Sequence, residues 1–276
     1  MFEACTALTQ APELPATILA DYCYKGMFYG CTNLISAPVL PATTLADECY
    51  AIMFRDCPSL TQAPALPAEN LANYCYSCMF LACNSLTQAP ALPATTLAME
   101  CYSNMFEGCE SLTKAPELPA TELALNCYYN MFSGCIKLTQ APELSATTLA
   151  IGCYDGMFNR CITLTRAPEL PATILADYCY EGMFRGCTSL TQAPALPAKT
   201  LTDYCYHEMF RDCTSLNNIS VNLSAWNPIN TFTLSPNATT NWVTNVSSSG
   251  TFTCPETLPH EFGVSRIPEG WTVITN

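Results

Sequence analysis

Cysteine is the first residue type in this sequence that could do chemistry, with 19 copies among 276 residues. Thiols at that density can close disulfides, hold soft metals as thiolates or run redox exchange, and each use demands its own spacing. Cys75 and Cys78 stand in "CYSC", the spacing of a redox pair. Only two histidines occur, His207 and His260, and neither comes with an arranged nucleophile, so each reads as a surface histidine. Glu13, Glu117, Glu143 and Glu169 could form a cation-binding stripe if the fold stacked them, although a solvated face is the simpler expectation.

Repetition decides where these residues go. Met-Phe occurs at Met1, Met27, Met53, Met79, Met105, Met131, Met157, Met183 and Met209, always 26 residues apart, and eight full repeats fill residues 1–208. A fixed period of this length marks a solenoid, in which each unit buries its apolar face only against its neighbours. Counting from the Met, position 5 is always Cys, position 8 Leu, position 23 Cys and position 24 Tyr; positions 11, 12, 14, 16 and 19 hold Ala, Pro, Leu, Ala and Leu. Position 15 is Pro except at Ser145. Invariant columns are read as core, and the variable ones, which carry most of the charge, as surface.

In the first copy Leu19, Ala20, Cys23, Tyr24, Met27, Phe28 and Cys31 recur every four residues, which predicts the apolar face of an α-helix over 19–31. Thr44 with Asp47, and Thr200 with Asp203, fit a capping box, and Gly30, Gly108, Gly134 and Gly186 fall where helix C-caps belong. The segment "SLTQA" predicts a short strand, followed by a proline arc whose missing donors favour an extended return. The predicted fold class is α/β: eight strand-helix repeats with a parallel sheet on one face and helices on the other. Strands at roughly 4.8 Å against helices at roughly 8 to 10 Å would bend the stack with the sheet inside.

This placement answers the cysteine question. On one helix Cys23 and Cys31 would lie about 12 Å apart, beyond the roughly 4.4 to 6.8 Å Cα separation of a disulfide, and neighbouring helices are too far apart as well. Buried reduced thiols are therefore expected, with no metal site, since the two columns lie apart and histidine ligands are lacking. Cys78 is one repeat's departure at a surface position. The invariant tyrosines of position 24 share the apolar stripe and belong to the core.

The words "MFRGCTSLTQAPALP" at 183–197 resemble the BspA-type leucine-rich repeats of bacterial surface proteins, whose unit reads "AFxGCxxLTSIxIP". The resemblance covers residues 1–216, with 26 residues per repeat instead of the commoner 23 or so, and "CYxxMF" where the family often has "AF". It implies an extracellular or cell-surface protein that adheres to proteins or glycans, with no enzyme activity and no cofactor.

A binding surface is expected on the exposed part of the sheet, where positions 9 and 10 are mostly Thr and Gln. The candidates are Thr61, Gln62, Thr87, Gln88, Thr113, Lys114, Thr139, Gln140, Thr165, Arg166, Thr191 and Gln192. Stacked Thr and Gln columns would equally serve a purely structural ladder. After Leu216 the period fails, and 217–276, which holds Trp226, Trp242 and Trp271, reads as a C-terminal cap with β-strands or as a small attached β module. The net charge of −13 argues against nucleic acid or anionic membrane partners. No apolar run is long enough to span a bilayer, and Met1 occupies a repeat position, so an upstream region carrying signal and anchor is expected. A monomeric surface-displayed or secreted adhesin fits these features; a structural stalk displaying another domain is the alternative.

Overall fold

The structure, a computed structural model, describes residues 2–226 and 236–276; Met1 of the Met column and 227–235 of the tail lie outside the described residues. Each 26-residue repeat forms one layer, and successive layers stack in parallel and in register. Single-residue parallel bridges join Gln10 to Ser36, Ser36 to Gln62, Lys114 to Gln140 and Gln192 to Asn218, all at position 10. Two more join Thr44 to Asn70 and Thr96 to Glu122 at position 18.

The predicted helices are absent. Among the described residues no α-helix occurs, and 21–30 and its equivalents are runs of consecutive turns. Every fourth residue is left-handed: Glu100 (φ 51°), Asn104 (φ 53°) and Gly108 (φ 70°) in one layer, with the same pattern in the others. A left-handed residue at that interval stops helix propagation. Gly30, Gly108, Gly134 and Gly186 have positive φ not as helix C-caps but as the third residue of turns repeated along the layer.

Backbone donors are divided between two directions. Cys101, Ser103, Met105, Glu107 and Cys109 donate their N–H groups to carbonyls three residues back, at 3.0–3.3 Å. The alternate residues Glu100, Tyr102, Asn104, Phe106 and Gly108 donate instead to Leu125, Cys127, Tyr129, Met131 and Ser133 of the next layer, at 2.7–3.1 Å. All ten donors from 100 to 109 are thus used, which makes the turn ribbon a full substitute for helix or sheet. The apolar period explains the choice. Residues four apart overshoot a helical turn by about 40°, so a strict period of four would spiral off one helix face. A ribbon of turns with a four-residue repeat holds all of them on one side.

The core is built from ladders parallel to the stacking axis. Phe2 through Phe210 stack with ring centroids 5.5–5.8 Å apart. Tyr24 through Tyr206 do the same at 5.7–6.1 Å. Such ring pairs add about 0.5–1.5 kcal/mol each beyond the area they bury. Leu34 through Leu216 of position 8, and Met53 through Met209, are fully buried. Layer spacing on the turn side is therefore near that of a sheet, and the strand–helix mismatch expected to bend the stack is largely removed.

The sheet is also reduced. Prolines at positions 12 and 15 withdraw ladder donors, so between layers the strand over "SLTQA" shrinks to one bridged residue. Where prolines drop out, strands form: β1 (Asn218–Ser220), β2 (Thr251–Cys254) and β3 (Thr272–Thr275) make a parallel sheet in the order β1-β2-β3. The segment "PNATTNWVTNV", expected as a short helix, holds a 3-10 helix at Pro236–Thr239 and then turns. Its carbonyls at Ala238, Thr240, Trp242 and Thr244 receive the N–H groups of Tyr206, Glu208, Phe210 and Asp212 at 2.8–3.0 Å, so the tail adds one more turn layer to the stack. Trp242 is fully buried against it, and its indole N–H donates to the Arg266 carbonyl at 2.8 Å.

Candidate binding surface

The proline arcs place positions 9 and 10 at the start of an extended segment whose Leu at position 14 and Ala at position 16 point inward. All twelve Thr, Gln, Lys and Arg candidates are exposed, and they share one side of the stack with the position-13 carboxylates. Grooves run between neighbouring arcs on this side. One, about 800 Å³, lies between 139–145 and 165–169 and includes Gln140, Ser145 and Arg166. A second of about 650 Å³ lies between 88–93 and 113–119, and a third of about 550 Å³ between 114–119 and 140–145. Lys114 borders both of these.

These grooves follow from unpaired backbone. At the C-terminal end the arcs pair, with Ala193 donating to Asn218 at 2.9 Å and Leu196 to Ser220 at 3.1 Å. Throughout the stack the position-13 N–H groups, those of Glu117, Glu143 and Glu169 among them, have no partner among the described residues, and in the central layers the N–H of Ser145 has none either. Ser145, standing where the other repeats have Pro, lines two of the grooves and adds an N–H and a hydroxyl that proline lacks. Glu117, Glu143 and Glu169 are in consecutive layers beside Lys114 and Arg166, whereas Glu13 is separated from them by Val39, Ala65 and Ala91 in the same column. The charged part of this side is therefore its middle.

The cysteines are free thiols, and sixteen of the nineteen are buried. Their arrangement differs from the expected one, because layers close enough to exchange backbone hydrogen bonds no longer exclude disulfides by distance alone. The position-5 thiols have a specific use instead: Cys57, Cys83 and Cys213 donate to the carbonyls of Phe28, Phe54 and Phe184 in the preceding layer at 2.9–3.1 Å. Burial pushes the Cys49 thiol up to about 11 and the Cys187 thiol up to about 12. Such groups are poor nucleophiles at neutral pH. Cys75 of the "CYSC" pair is fully buried and Cys78 half-buried, with burial raising both thiols.

Sequence spacing missed three placements. His207 Nδ1 lies 2.9 Å from Glu181 Oε1, one layer away in the same column. Asp155 precedes Glu181 in that column, and burial followed by the Glu181 charge pushes its carboxyl up to about 8. His260 Nε2 approaches Cys254 Sγ at 3.9 Å, yet Cys254 is buried with its thiol raised by burial. The signal for the first two was present, since Asp155, Glu181 and His207 occupy position 25 in consecutive repeats. Among the described residues no group of three or more His, Cys, Asp or Glu side chains is placed to hold a metal.

The model of the BspA type leucine rich repeat region matches residues 1–139 and 126–246, in six copies. The chain belongs to the BspA-type leucine-rich repeat family. The stacked 26-residue layers are this BspA-type chain's version of the repeat, with turn ribbons where helices were expected. It is also similar to a leucine-rich repeat protein from Bacteroides ovatus ATCC 8483 of known crystal structure, at 16% identity, covering 99% of this chain and 85% of that one with a TM-score of 0.35. None of the curated proteins matches it. No helix among the described residues is long and apolar enough to cross a membrane.

Proposed function

We propose that this BspA-type chain is a non-catalytic binding protein, displayed at the cell surface or secreted, whose proline-arc side recognises a protein or glycan ligand. The observation that carries this reading is the coincidence of three features in the same central layers. Three broad grooves, the Ser145 N–H where every other repeat has Pro, and the charged substitutions Lys114 and Arg166 in a column otherwise mostly Gln all meet there. Thr and Gln side chains offer donors and acceptors, Arg166 offers a planar fork for carboxylate or hydroxyl pairs, and the arc N–H groups add fixed donors. Residues 217–276 act in this reading as the closure of the last apolar layer, with Trp242 covering the ends of the Tyr and Phe ladders.

Capture on an array of glycans and matrix proteins tests the proposal. A ligand retained by the native chain should be lost or weakened about tenfold by Lys114→Ala with Arg166→Ala, a loss typical of charged contacts. Both residues are exposed, so the circular dichroism of the variant should match the native chain. Retention by the variant equal to that of the native chain would place the ligand elsewhere, and no retained ligand at all would favour a stalk.

A further inference from the structure

Position 21 carries a second ladder, on the turn side of the stack. The Asp21 carboxylate accepts the N–H of Asp47 at 3.1 Å, Asp47 that of Asn73 at 2.9 Å, and the Asn73 amide oxygen that of Met99 at 3.2 Å. Asp47, read from sequence as part of a capping box, is thus a link between layers. The ladder resumes where Asp177 accepts the N–H of Asp203 at 3.1 Å. Between these runs the column holds Met99, Leu125 and Ile151. With no side-chain acceptor in three successive layers, the N–H groups of Leu125, Ile151 and Asp177 have no partner among the described residues.

These replacements do not serve the core. Leu125 is 40% exposed and Ile151 51% exposed. Tyr178, the residue after Asp177, is 39% exposed and stacks on Tyr204 at 4.8 Å, while the same column one layer before holds Gly152, so no ring covers its other side. Three central layers therefore give up an acceptor ladder that their neighbours keep, and present apolar side chains, one aromatic ring and a row of unused donors.

We propose that this strip, Leu125, Ile151 and Tyr178 with its three free N–H groups, is a docking surface for a proline-rich extended polypeptide segment flanked by basic residues. Donor polarity makes the selection. A partner must bring acceptors and few donors, and prolyl residues have carbonyls without N–H groups. Their rings pack on aliphatic and aromatic side chains, and the extended polyproline conformation is already formed before binding. At about 3.1 Å per residue, roughly five residues reach across three layers whose tyrosine ladder is spaced 5.7–5.8 Å. Glu100, Glu122 and Asp177 border the strip, and positions 18 to 22 of these layers hold no Lys or Arg, so basic flanks fit and acidic ones do not. A second copy of this chain is a poor occupant, because its matching strip would set donors against donors and two chains of net charge −13 repel.

Fluorescence anisotropy with a labelled proline-rich peptide carrying arginines at both ends tests this, with a Gly/Ser peptide bearing the same arginines as the control probe. Leu125→Asn with Ile151→Asn restores the acceptors for the N–H groups of residues 151 and 177, two of the three, so the thermal midpoint should hold or rise while peptide binding falls about tenfold or more through lost donors and apolar area. Tyr178→Ala, which leaves the ladder untouched, should weaken binding several-fold. Lys114→Ala with Arg166→Ala should leave peptide binding unchanged, which separates this strip from the proline-arc side. The proposal is overturned if the native chain shows no saturable binding of the proline-rich peptide up to about 1 mM. Equal binding of the Gly/Ser probe, or unchanged binding in the ladder-restoring or Tyr178 variant, would overturn it as well.

Discussion

Replacing Gly182 with alanine separates the turn ribbon from a helix by the sign of a stability change. Gly182 has φ +53°, and a Cβ added there meets nothing within 4 Å, so neither packing nor collision contributes. The remaining cost is backbone strain, about 1–2 kcal/mol for a residue with a Cβ in the left-handed region. Alanine also reduces the freedom of the unfolded chain, which returns about 0.4–1 kcal/mol. The net expectation is a loss of about 1 kcal/mol. On the exposed face of a helix the same substitution would instead gain about 0.8–1 kcal/mol. The two architectures therefore differ by about 2 kcal/mol in opposite directions. Urea unfolding followed by circular dichroism reads this as a shift of the midpoint. Gly134, at φ +72° with its added Cβ at an ordinary 3.6 Å from the Gly108 backbone, provides a repeat of the test two layers away, and the two losses should add. A midpoint that rises in Gly182→Ala would refute the turn ribbon.

Three other outcomes follow from the packing. Leu112 is fully buried in the position-8 column, so Leu112→Ala should cost about 2–5 kcal/mol by opening a cavity between layers; an unchanged thermal midpoint would contradict its core placement. Asp155 holds its proton to about pH 8 in the fold but only to about pH 3.9 when unfolded. The folded state thus binds more protons between those values, and stability should fall as pH rises through that window, by at most about 1.4 kcal/mol per pH unit. Asp155→Asn should flatten that slope in thermal melts across the range, and an equally steep slope in the variant would assign it to other groups, such as Glu181. Alkylation under native conditions should reach Cys23, which is exposed, and more slowly Cys5 and Cys78, with the sixteen buried thiols labelled only after denaturation; rapid native labelling of the buried set would remove the thiol ladders.

Much of the candidate surface was legible because a repeat compares itself. Thr and Gln at positions 9 and 10 vary little but fall outside the invariant apolar columns, and they are exposed in the structure. The grooves beside them were not legible, since they depend on how far neighbouring arcs stand apart once prolines remove their hydrogen bonds. The strip at Leu125 and Ile151 was hidden for a related reason. Apolar residues at a variable position look like tolerated drift until the Asp and Asn side chains around them are seen to bridge layers.

The period of 26 by itself determined the layers, the register, the identity of the core columns and the family resemblance, because identical side chains one period apart can only stack. It did not determine the local backbone. Apolar residues every four positions satisfy a helix stripe over a short span, and the left-handed Glu100 or Ile52 (φ 51°) gives no local warning. The choice was made between layers: a turn ribbon sends half of its N–H groups to the next layer, a gain that exists only when that layer is present. The tertiary stack therefore decided the secondary structure, by completing hydrogen bonds that a single repeat could not make alone.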